Sequence, residues 1–340
     1  MEPNENPSIF QSRDIVVIGG SAGSLEPLKN IVGGLPADFP GSIFVVIHVS
    51  ANSPGLFDEY LAQCGSLPAS HPRDQEAIHG GHIYLARPDY HLTLEPGTIR
   101  IRRGPRENRH RPAIDPLFRT AARVYGPRVI GIVLSGLRDD GSAGLYAIKQ
   151  RGGVVIVQDP NDAPFEEMPR RALEYSSPHY ILPASEIPPN LIKLAHADRN
   201  EPVMPNKNPH PGNSQKEFFK TSGSLSSDKP DQNLKTAYFD EGEGTPSVFA
   251  CPECHGVLWE LKDENFMRFR CRVGHSYGTD SLSQELSEAS ENALWAAMRA
   301  LEEKAALQRR IADHLGGDNL TTGRLLDQSS ADDASARLIR

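Results

Sequence analysis

The sequence predicts an α/β fold with a doubly wound, mainly parallel sheet, followed by a small ribbon-like module and a long C-terminal helix. Three observations lead to this prediction. Short, continuously apolar and β-branched runs alternate with helical patterns, as they do in parallel sheets that are covered on both faces. Three of the four cysteines cluster late in the chain. A helical repeat of apolar residues follows that cluster.

The strands of the sheet are predicted from apolar runs bounded by glycine, proline or polar residues. Four such runs lie at 14–18, 42–47, 129–134 and 153–157. Helical spacing of apolar residues predicts helices at 25–35, 143–150 and 168–175. Shorter strands are predicted at 82–85, 91–94 and 98–101, and the last two form a hairpin. Residues 12–197 are therefore predicted to form one α/β domain.

The charge and the apolar content of the chain exclude two classes of partner. The formal net charge is −8, whereas a general nucleic-acid binder carries a basic stripe, so no nucleic acid is expected. No apolar run is long enough to span a bilayer, so no membrane insertion is expected. Residues 1–11 are polar and lack the apolar segment of a secretory signal. A flexible N-terminus and a cytoplasmic location are therefore expected.

A glycine-rich turn after the first strand places a serine at the edge of the sheet. Residues 19–23 read Gly-Gly-Ser-Ala-Gly, which fits the G-x-S-x-G turn that projects a nucleophilic serine between a strand and a helix. N–H groups at the start of that helix can stabilise an oxyanion. A phosphate-binding turn is the alternative, although the full G-x-G-x-x-G pattern is absent. The turn alone does not separate the two interpretations.

Two further strand ends bring a histidine and aspartates to the same edge. His48 follows the second strand, and Asp139 and Asp140 follow the strand at 129–134. Carboxyl ends of parallel strands share one edge, so His48 could serve Ser21 as a base while an aspartate orients it. A structural histidine and an N-cap for the helix at 143 are the alternatives. The pattern does not choose between the two aspartates.

Six stretches, in order along the α/β block, resemble the catalytic domain of the chemotaxis protein-glutamate methylesterases, the CheB family. They are VVIGGSAGS at 16–24, FVVIHVS at 44–50, HIYLARPDYHL at 82–92, RHRPAIDPLFRTAA at 109–122, GIVLSGLRDDGSAGL at 131–145 and VVIVQDPNDAPFEEMPRRAL at 154–173. The resemblance implies that Ser21 is the nucleophile, His48 the base and Asp140 the orienting acid. It also implies that Ala22 and Leu137 support the oxyanion site.

The resemblance also implies a substrate and partners. The family hydrolyses γ-glutamyl methyl esters on receptor helices without a catalytic cofactor, and many members also deamidate receptor glutamines. A methylated chemoreceptor or similar signalling protein is the expected substrate. Few residues precede the first strand, so we expect no receiver domain, and a separate response regulator or methyltransferase is a further expected partner. Candidate contacts to acidic receptor helices are Arg87, Arg111 and Arg119, with solvated surface charge as the alternative.

Three short departures from the family pattern surround the catalytic positions. Ser-Thr-Gly-Gly at the nucleophile is Ser-Ala-Gly-Ser at residues 21–24. A methionine that is common in the aspartate loop is Leu137, and Gly-Asn before the aspartate is Arg-Asp at residues 138–139. The three catalytic residue types are retained, so the departures concern substrate fit and the oxyanion site.

The late cysteines form a metal-binding motif, C-x2-C-x16-C-x3-H. Its members are Cys251, Cys254, Cys271 and His275. Two knuckles of sulfur and nitrogen ligands suit tetrahedral zinc, and four protein ligands make a closed, structural site. The runs at 258–261 and 267–270 alternate like ribbon strands. A zinc-ribbon-like module with a binding role is therefore predicted at 247–278, with free thiols or a redox pair as alternatives.

The remaining segments are predicted from composition. Residues 198–246 are rich in Asn, Pro, Ser, Lys and Asp, so a disordered linker is expected. Residues 279–315 are predicted to form an amphipathic helix that could mediate a homodimer. The polar residues 316–340 are expected to form a flexible tail.

These features are compatible with three functions. The first is a protein-glutamate methylesterase with a Ser-His-Asp triad. The second is a catalytically weak signalling scaffold that binds partners through the ribbon and the C-terminal helix. The third is a nucleotide-binding α/β protein. The intact serine, histidine and aspartate favour the first.

Overall fold

The computed structural model describes residues 13–53, 55–197, 244–263, 266–316 and 320–340. The flexible N-terminus expected at 1–11 and residues 198–243 of the expected linker lie outside these ranges. The described residues divide into two compact units. The α/β sheet and the ribbon strands belong to the first unit. Pro252–His255 and the helical residues from Asp280 onward belong to the second.

The first unit is built on a seven-stranded sheet in which every pairing is parallel. The strands between residues 15 and 182 are β1 (Ile15–Gly20), β2 (Ser42–Ile47), β3 (Ala69–Ser70), β4 (Ile83–Leu85), β5 (His91–Glu95), β6 (Thr98–Arg102), β7 (Val129–Val133), β8 (Val154–Gln158) and β9 (Tyr180–Leu182). The sheet order is β3-β4-β2-β1-β7-β8-β9, and β5 pairs with β6 as a separate antiparallel hairpin. The predicted doubly wound parallel sheet is confirmed, and the short strands β3 and β9 are additions to it.

Six helices cover the two faces of this sheet. They are α1 (Leu25–Gly33), α2 (Phe57–Cys64), α3 (Ile114–Tyr125), α4 (Ser142–Gln150), α5 (Glu167–Ser176) and α6 (Ile187–His196). Side chains alternate along a strand, so Val16 and Ile18 pack into the core that α1, α2 and α6 share, while Ile15 and Val17 pack into the core of α3, α4 and α5. All six residues of β1 are buried, which explains its continuous apolar sequence.

The position of β1 decides where a site can form. It pairs with β2 on one side and with β7 on the other, so the strand order reverses there. In open parallel sheets a crevice opens beyond the carboxyl ends of the strands at such a reversal. The residues that follow β1, β2 and β7 therefore surround this crevice.

The ribbon forms a second, four-stranded antiparallel sheet. Its strands are β10 (Gly244–Ala250), β11 (Val257–Asp263), β12 (Phe266–Cys271) and β13 (Ser276–Gly278), paired in that order. The sequence predicted only the two central strands. The outer strands escape prediction because β10 begins inside the polar segment that was assigned to the linker, and β13 is three residues long.

The second unit contains two long helices, α7 (Thr279–Leu315) and α8 (Leu320–Ile339). The predicted C-terminal helix is confirmed, whereas α8 occupies the segment expected to be a flexible tail. Ion pairs between α7 and α8 join Lys304 to Asp332 at 3.0 Å and Arg309 to Asp333 at 2.6 Å. Buried alanines lie on both helices. Alanine has the highest helix propensity, so a polar segment rich in alanine and charges forms a helix once it has a partner.

Candidate active site

Three strand ends bring a serine, a histidine and an aspartate together. Ser21 follows β1, His48 follows β2, and Asp140 lies in the loop after β7. The Nδ1 atom of His48 is 3.1 Å from the Ser21 hydroxyl oxygen, and its Nε2 atom is 2.7 Å from Asp140 Oδ2. The side chains of His48 and Asp140 are 4% and 1% exposed. The structure thus joins residues 92 positions apart in the chain into one hydrogen-bonded series.

The turn at Ser21 depends on two glycines. A Cβ at Gly19 would lie 2.3 Å from the Ile114 side chain of α3, so a larger residue would displace that helix. Gly23 has a φ of 71°, which L side chains rarely adopt. Ser24 closes the turn, because its N–H and its hydroxyl both donate to the Ser21 carbonyl. The Ser21 side chain is therefore held at the mouth of the crevice.

The tautomer of neutral His48 follows from the negative charge of Asp140. Asp140 is buried, and an ionised carboxylate only accepts hydrogen bonds. The proton of neutral His48 is accordingly assigned to Nε2, which donates to Asp140 Oδ2. Nδ1 then carries a lone pair that accepts the Ser21 hydroxyl proton.

Asp140 is held by four hydrogen bonds. Its Oδ2 accepts from His48 and from the Ile114 N–H at 2.7 Å. Its Oδ1 accepts from the Asn108 side-chain amide at 2.9 Å and from the Asp115 N–H at 3.2 Å. Burial opposes ionisation, but the hydrogen bonds from His48 and Ile114 hold the pKa of Asp140 well below its usual range. The carboxylate is therefore charged at neutral pH.

The N–H groups of Ile114 and Asp115 give Asp140 a second structural role. They belong to the first turn of α3, where backbone N–H groups have no partner inside the helix and favour negative charge. The N-cap of α4 is Gly141, which has no side chain, and the Gly144 N–H in the first turn of α4 donates to Asp115 Oδ1 at 2.7 Å. The capping alternative considered for the aspartates thus applies to α3, which is distant in sequence, and not to the helix that follows.

His110 was not singled out by the sequence analysis, although it lies in a stretch that carries the family resemblance. Its ring stacks on the His48 ring with centroids 3.5 Å apart and an interplanar angle of 8°. Burial, and next the proximity of His48, lower the pKa of His110 to about 3. His110 is therefore neutral near pH 7 and forms a flat wall against the base.

A partly buried ion-pair cluster lies behind the aspartate. Arg119 donates to Glu107 at 2.6 Å and lies 3.8 Å from Asp115. Burial and the neighbouring charge of Asp140 raise the pKa of Asp115. The guanidinium of Arg119, which was expected to contact a receptor, thus pairs with carboxylates of its own chain. Arg111 likewise binds Asp89, at 2.6 Å.

The two residues expected at the oxyanion site lie beside the serine and the aspartate loop. The Ser21 N–H donates to the Ser135 carbonyl at 2.9 Å, so it is not directed at a substrate oxygen. Ala22 follows in the turn, and its carbonyl accepts from the Ser135 hydroxyl at 2.8 Å. The Leu137 side chain is 45% exposed at the start of the aspartate loop. The Ala22 N–H therefore stays a candidate donor to an oxyanion.

The cysteine motif forms one cluster of potential metal ligands. Within the described residues, the ligand atoms of Cys251, Cys254, Cys271 and His275 lie within 4.8 Å of one another. His275 Nδ1 is 3.6 Å from the Cys251 sulfur and 3.5 Å from the Cys271 sulfur. Both of these cysteines are buried. A set of three thiols and one imidazole at these separations can hold a metal ion.

Comparison with known proteins identifies the α/β domain. The CheB methylesterase family profile matches residues 16–191, just over half of the 340-residue chain. The chain is 32% identical in sequence to the Thermotoga maritima CheB methylesterase catalytic domain, with a TM-score of 0.51. That match covers 53% of this chain and 98% of the Thermotoga structure. Among the described helices, none is long and apolar enough to span a membrane.

Sequence relatives agree with the profile. A Leptospira interrogans protein is 38% identical over 182 residues, which are 53% of this chain and 94% of that protein. An Anaeromyxobacter dehalogenans protein named protein-glutamate methylesterase/protein-glutamine glutaminase 2 is 36% identical over 53% of each chain. A Rhodospirillum rubrum protein named protein-glutamate methylesterase/protein-glutamine glutaminase 1 is 33% identical over 56% of this chain and 51% of its own length. The chain therefore belongs to the CheB methylesterase family.

Proposed function

We propose that the protein hydrolyses glutamyl methyl esters on a signalling protein, with Ser21 as nucleophile, His48 as base and Asp140 as orienting acid. The observation that supports this proposal is the hydrogen-bonded series from the Ser21 hydroxyl through His48 to the buried Asp140 carboxylate. A nucleophile, a base and a group that orients the base recur in serine hydrolases of unrelated folds. The chain order Ser, His, Asp is compatible with this, because triads are defined by geometry.

The geometry supports a two-step acyl transfer. Nδ1 of His48 takes the Ser21 proton while the serine oxygen forms a bond to the ester carbonyl carbon. The carbonyl electron pair moves to oxygen, where backbone N–H groups, with Ala22 as the candidate, stabilise the charge. The carbon–methoxy bond then breaks, and His48 returns the proton so that methanol leaves. Water, deprotonated by His48, cleaves the acyl-enzyme and releases a glutamate carboxylate and free Ser21.

The substrate class comes from the names of the relatives. The names of all three contain both methylesterase and glutaminase. The same mechanism accommodates both, because a primary amide differs from the ester only in releasing ammonia in place of methanol. We therefore propose a methylated chemoreceptor or similar signalling protein as substrate, with glutamine deamidation as a second activity. A separate response regulator or methyltransferase remains the proposed further partner.

A serine-directed probe tests the mechanism. Wild-type protein is treated with a fluorophosphonate and, separately, with a peptide that contains a glutamyl methyl ester, and methanol release is measured. Ser21→Ala should abolish labelling and lower the rate by at least about a thousandfold. Ser290→Ala, an exposed serine on α7, is the matched control and should leave both unchanged. If the wild type neither labels nor releases methanol, the methylesterase proposal is wrong and the scaffold hypothesis is supported.

We also propose that the cysteine cluster holds one structural zinc ion. Zn–S bonds of about 2.3 Å and Zn–N bonds of about 2.0–2.1 Å at tetrahedral angles separate sulfur from nitrogen by about 3.6 Å. The sulfur–nitrogen separations of 3.6 and 3.5 Å from His275 to Cys251 and Cys271 fit that requirement. A sheet this small has too little core to be stable without such a staple. When bound, the metal would link the strand ends at Cys251 and Cys271.

The division of the chain follows from these assignments. We propose an α/β methylesterase domain at 12–197 and a zinc-ribbon-like module at 247–278. The C-terminal helix at 279–315 remains the proposed surface for self-association.

A further inference from the structure

We infer that the last ribbon strand, β13, and the side chain of Asn108 form a positioning unit for Asp140, so that docking of the ribbon sets the reactivity of Ser21. The inference rests on the proposed function and deepens it. It assigns the ribbon a place in the hydrolase site, in addition to the binding role predicted from its sequence.

The ribbon strand contacts the loop that carries Asn108 through its backbone. The Asn108 N–H donates to the Ser276 carbonyl at 2.7 Å, and Glu107 pairs with Ser276 in a parallel bridge. Glu107 and His110 close a tight turn, whose two central residues, Asn108 and Arg109, have φ of 48° and 69°. Two positive φ values in succession are typical of a type I′ turn, and asparagine tolerates this conformation well. The ribbon strand β13 therefore lies against a tight turn of defined backbone conformation.

Both polar atoms of the Asn108 side-chain amide form hydrogen bonds, and these connect the ribbon to Asp140. Its Nδ2 donates to Asp140 Oδ1 at 2.9 Å and to Asp115 Oδ2 at 3.2 Å. Its Oδ1 accepts the Gly278 N–H of β13 at 3.0 Å. Asn108 is only 4% exposed. Because the Gly278 N–H requires an acceptor, it orients the Oδ1 atom, and this turns the two donor protons toward the carboxylates.

The ribbon also fits closely against the neighbouring aspartate. A Cβ at Gly278 would lie 2.2 Å from Asp139 Oδ2, so a larger residue would have to displace the Asp139 carboxylate. Gly274, in the second metal knuckle, approaches Pro105 in the same way, since a Cβ there would lie 2.9 Å from the proline ring. At these two glycines the ribbon backbone thus approaches closely the loops that carry Asn108 and Asp140.

The ribbon contributes charge as well as shape. Glu107, Asp115 and Asp140 are three carboxylates gathered behind His48, with Arg119 as one balancing guanidinium. Arg268 of β12, 8% exposed, is the second. Its positive charge lowers the pKa of both Glu107 and Asp115, against the effect of burial. Undocking the ribbon would remove this positive charge from Glu107 and Asp115, the two carboxylates that lie beside Asp140.

A substitution at Asn108 tests the positioning role in the full-length chain. Asn108→Gly retains the positive φ and removes only the amide. Gln75→Gly, also at positive φ (65°) but exposed, is the matched control. We expect kcat for methyl-ester hydrolysis to fall roughly ten- to a hundredfold in Asn108→Gly, the effect of losing one hydrogen bond to a charged group, with KM within about twofold. Asn108→Asp, which is isosteric but replaces the donor by an acceptor, should lose at least as much.

A spectroscopic readout separates positioning from general damage. The Nε2 proton of His48 between the ring and Asp140 should give a low-field proton resonance in NMR spectra. We expect this resonance to move upfield in Asn108→Gly and to stay in place in Gln75→Gly. The measurement is made in a Ser21→Ala background as well, so it needs no turnover. Should the wild type show no esterase activity, the proposed function fails, while this resonance still decides the inference.

A ribbon-side variant completes the experiment. Gly278→Ala places a Cβ against Asp139, whereas Gly323→Ala, where a Cβ would have no described atom within 4 Å, is its control. Gly278→Ala should lower kcat by at least about fivefold and shift the low-field resonance, with thermal unfolding and metal content measured in parallel. Unchanged kcat and resonance in either Asn108→Gly or Gly278→Ala, in a folded protein, would overturn the inference.

Discussion

The imidazole rings of His48 and His110 lie face to face, with centroids 3.5 Å apart and an interplanar angle of 8°. Two charged imidazoles could not stack in this way without strong repulsion. Burial lowers the pKa of His110 to about 3, and His48 is the next contribution. His110 is therefore a neutral partner that restricts the tilt of His48 without competing for its proton.

This stacking predicts a pH dependence of stability. In the unfolded chain His110 titrates near its usual pKa of about 6.5, whereas in the folded chain it titrates at about 3. The unfolded state thus binds more protons between these values, and the contribution of His110 to the free energy of unfolding, complete above pH 6.5, is lost as the pH falls. His110→Phe retains a flat ring and removes the proton site.

Chemical denaturation at pH 7 and pH 5 measures the effect. Wild-type protein should lose about 1–2 kcal/mol more than His110→Phe between these two pH values, since each pH unit below 6.5 costs at most about 1.4 kcal/mol. Other buried histidines, such as His91, titrate equally in both proteins and cancel. Equal losses in the two proteins would mean that His110 accepts a proton in the folded state.

The Arg119 ion pairs predict a second difference in stability. Arg119 lies between Glu107 and Asp115, and its side chain is 25% exposed. Arg119→Met would leave those carboxylates with less compensation, so we expect a loss of about 2–4 kcal/mol, below the full cost of breaking a buried pair. Arg128→Met is the comparison, because it removes an ion pair with Asp14 of the same length, 2.6 Å, in which the arginine side chain is 34% exposed. That loss should be about 1 kcal/mol or less. Similar losses for both variants would show that the cluster behind Asp140 is well solvated.

The sequence predicted the parallel sheet because its strands are buried on both faces and leave continuous apolar runs. β1 and β7 are examples, since each of their residues is buried. β3 is two residues long and half-buried, so it leaves no such run. The helix α8 was missed for a different reason: its apolar residues follow no helical stripe, and its ion pairs to α7 depend on tertiary structure.

Some residues of the candidate site could be predicted from the sequence, whereas others could not. Ser21, His48 and Asp140 each end or follow a strand, and the topology of parallel sheets brings strand ends to one edge. Asn108 and His110 lie in an irregular loop, and only tertiary contacts place them against Asp140 and His48. The stretch at 109–122, one of those that carry the family resemblance, includes His110 and begins one residue after Asn108. Nothing in local pattern could assign Asn108 a partner 170 residues away at Gly278.

Gly19 predicts a loss of stability that also reaches the site. A Cβ there would overlap Ile114, whose N–H binds Asp140. Gly19→Ala must therefore displace the start of α3, and we expect a loss of about 1–3 kcal/mol together with lower esterase activity. Gly104→Ala is the control, because its added Cβ would make an ordinary contact of 3.7 Å with His91. Denaturant midpoints and fluorophosphonate labelling rates report the two effects. Unchanged values in Gly19→Ala would imply that α3 can shift freely.

Metal removal gives the last prediction. Structural zinc sites stabilise small modules by about 10–16 kcal/mol at neutral pH, so the ribbon should lose its fold when the metal is withdrawn by a strong chelator. The two tryptophans of the chain, Trp259 and Trp295, lie on β11 and α7. In a Trp295→Phe background the remaining indole reports on the ribbon alone. We expect its emission to shift to the red as one zinc per chain is released.

Cysteine variants separate the metal effect from general oxidation. Cys271→Ser removes a buried ligand and should reproduce the red-shifted emission without a chelator. Cys64→Ser is the matched control, since its thiol donates to the Tyr60 carbonyl within α2 and lies outside the cluster. The α/β sheet has its own core, so the far-ultraviolet signal of its helices should persist in both variants. A Cys271→Ser protein that keeps stoichiometric zinc and native emission would show that this cysteine is not a ligand.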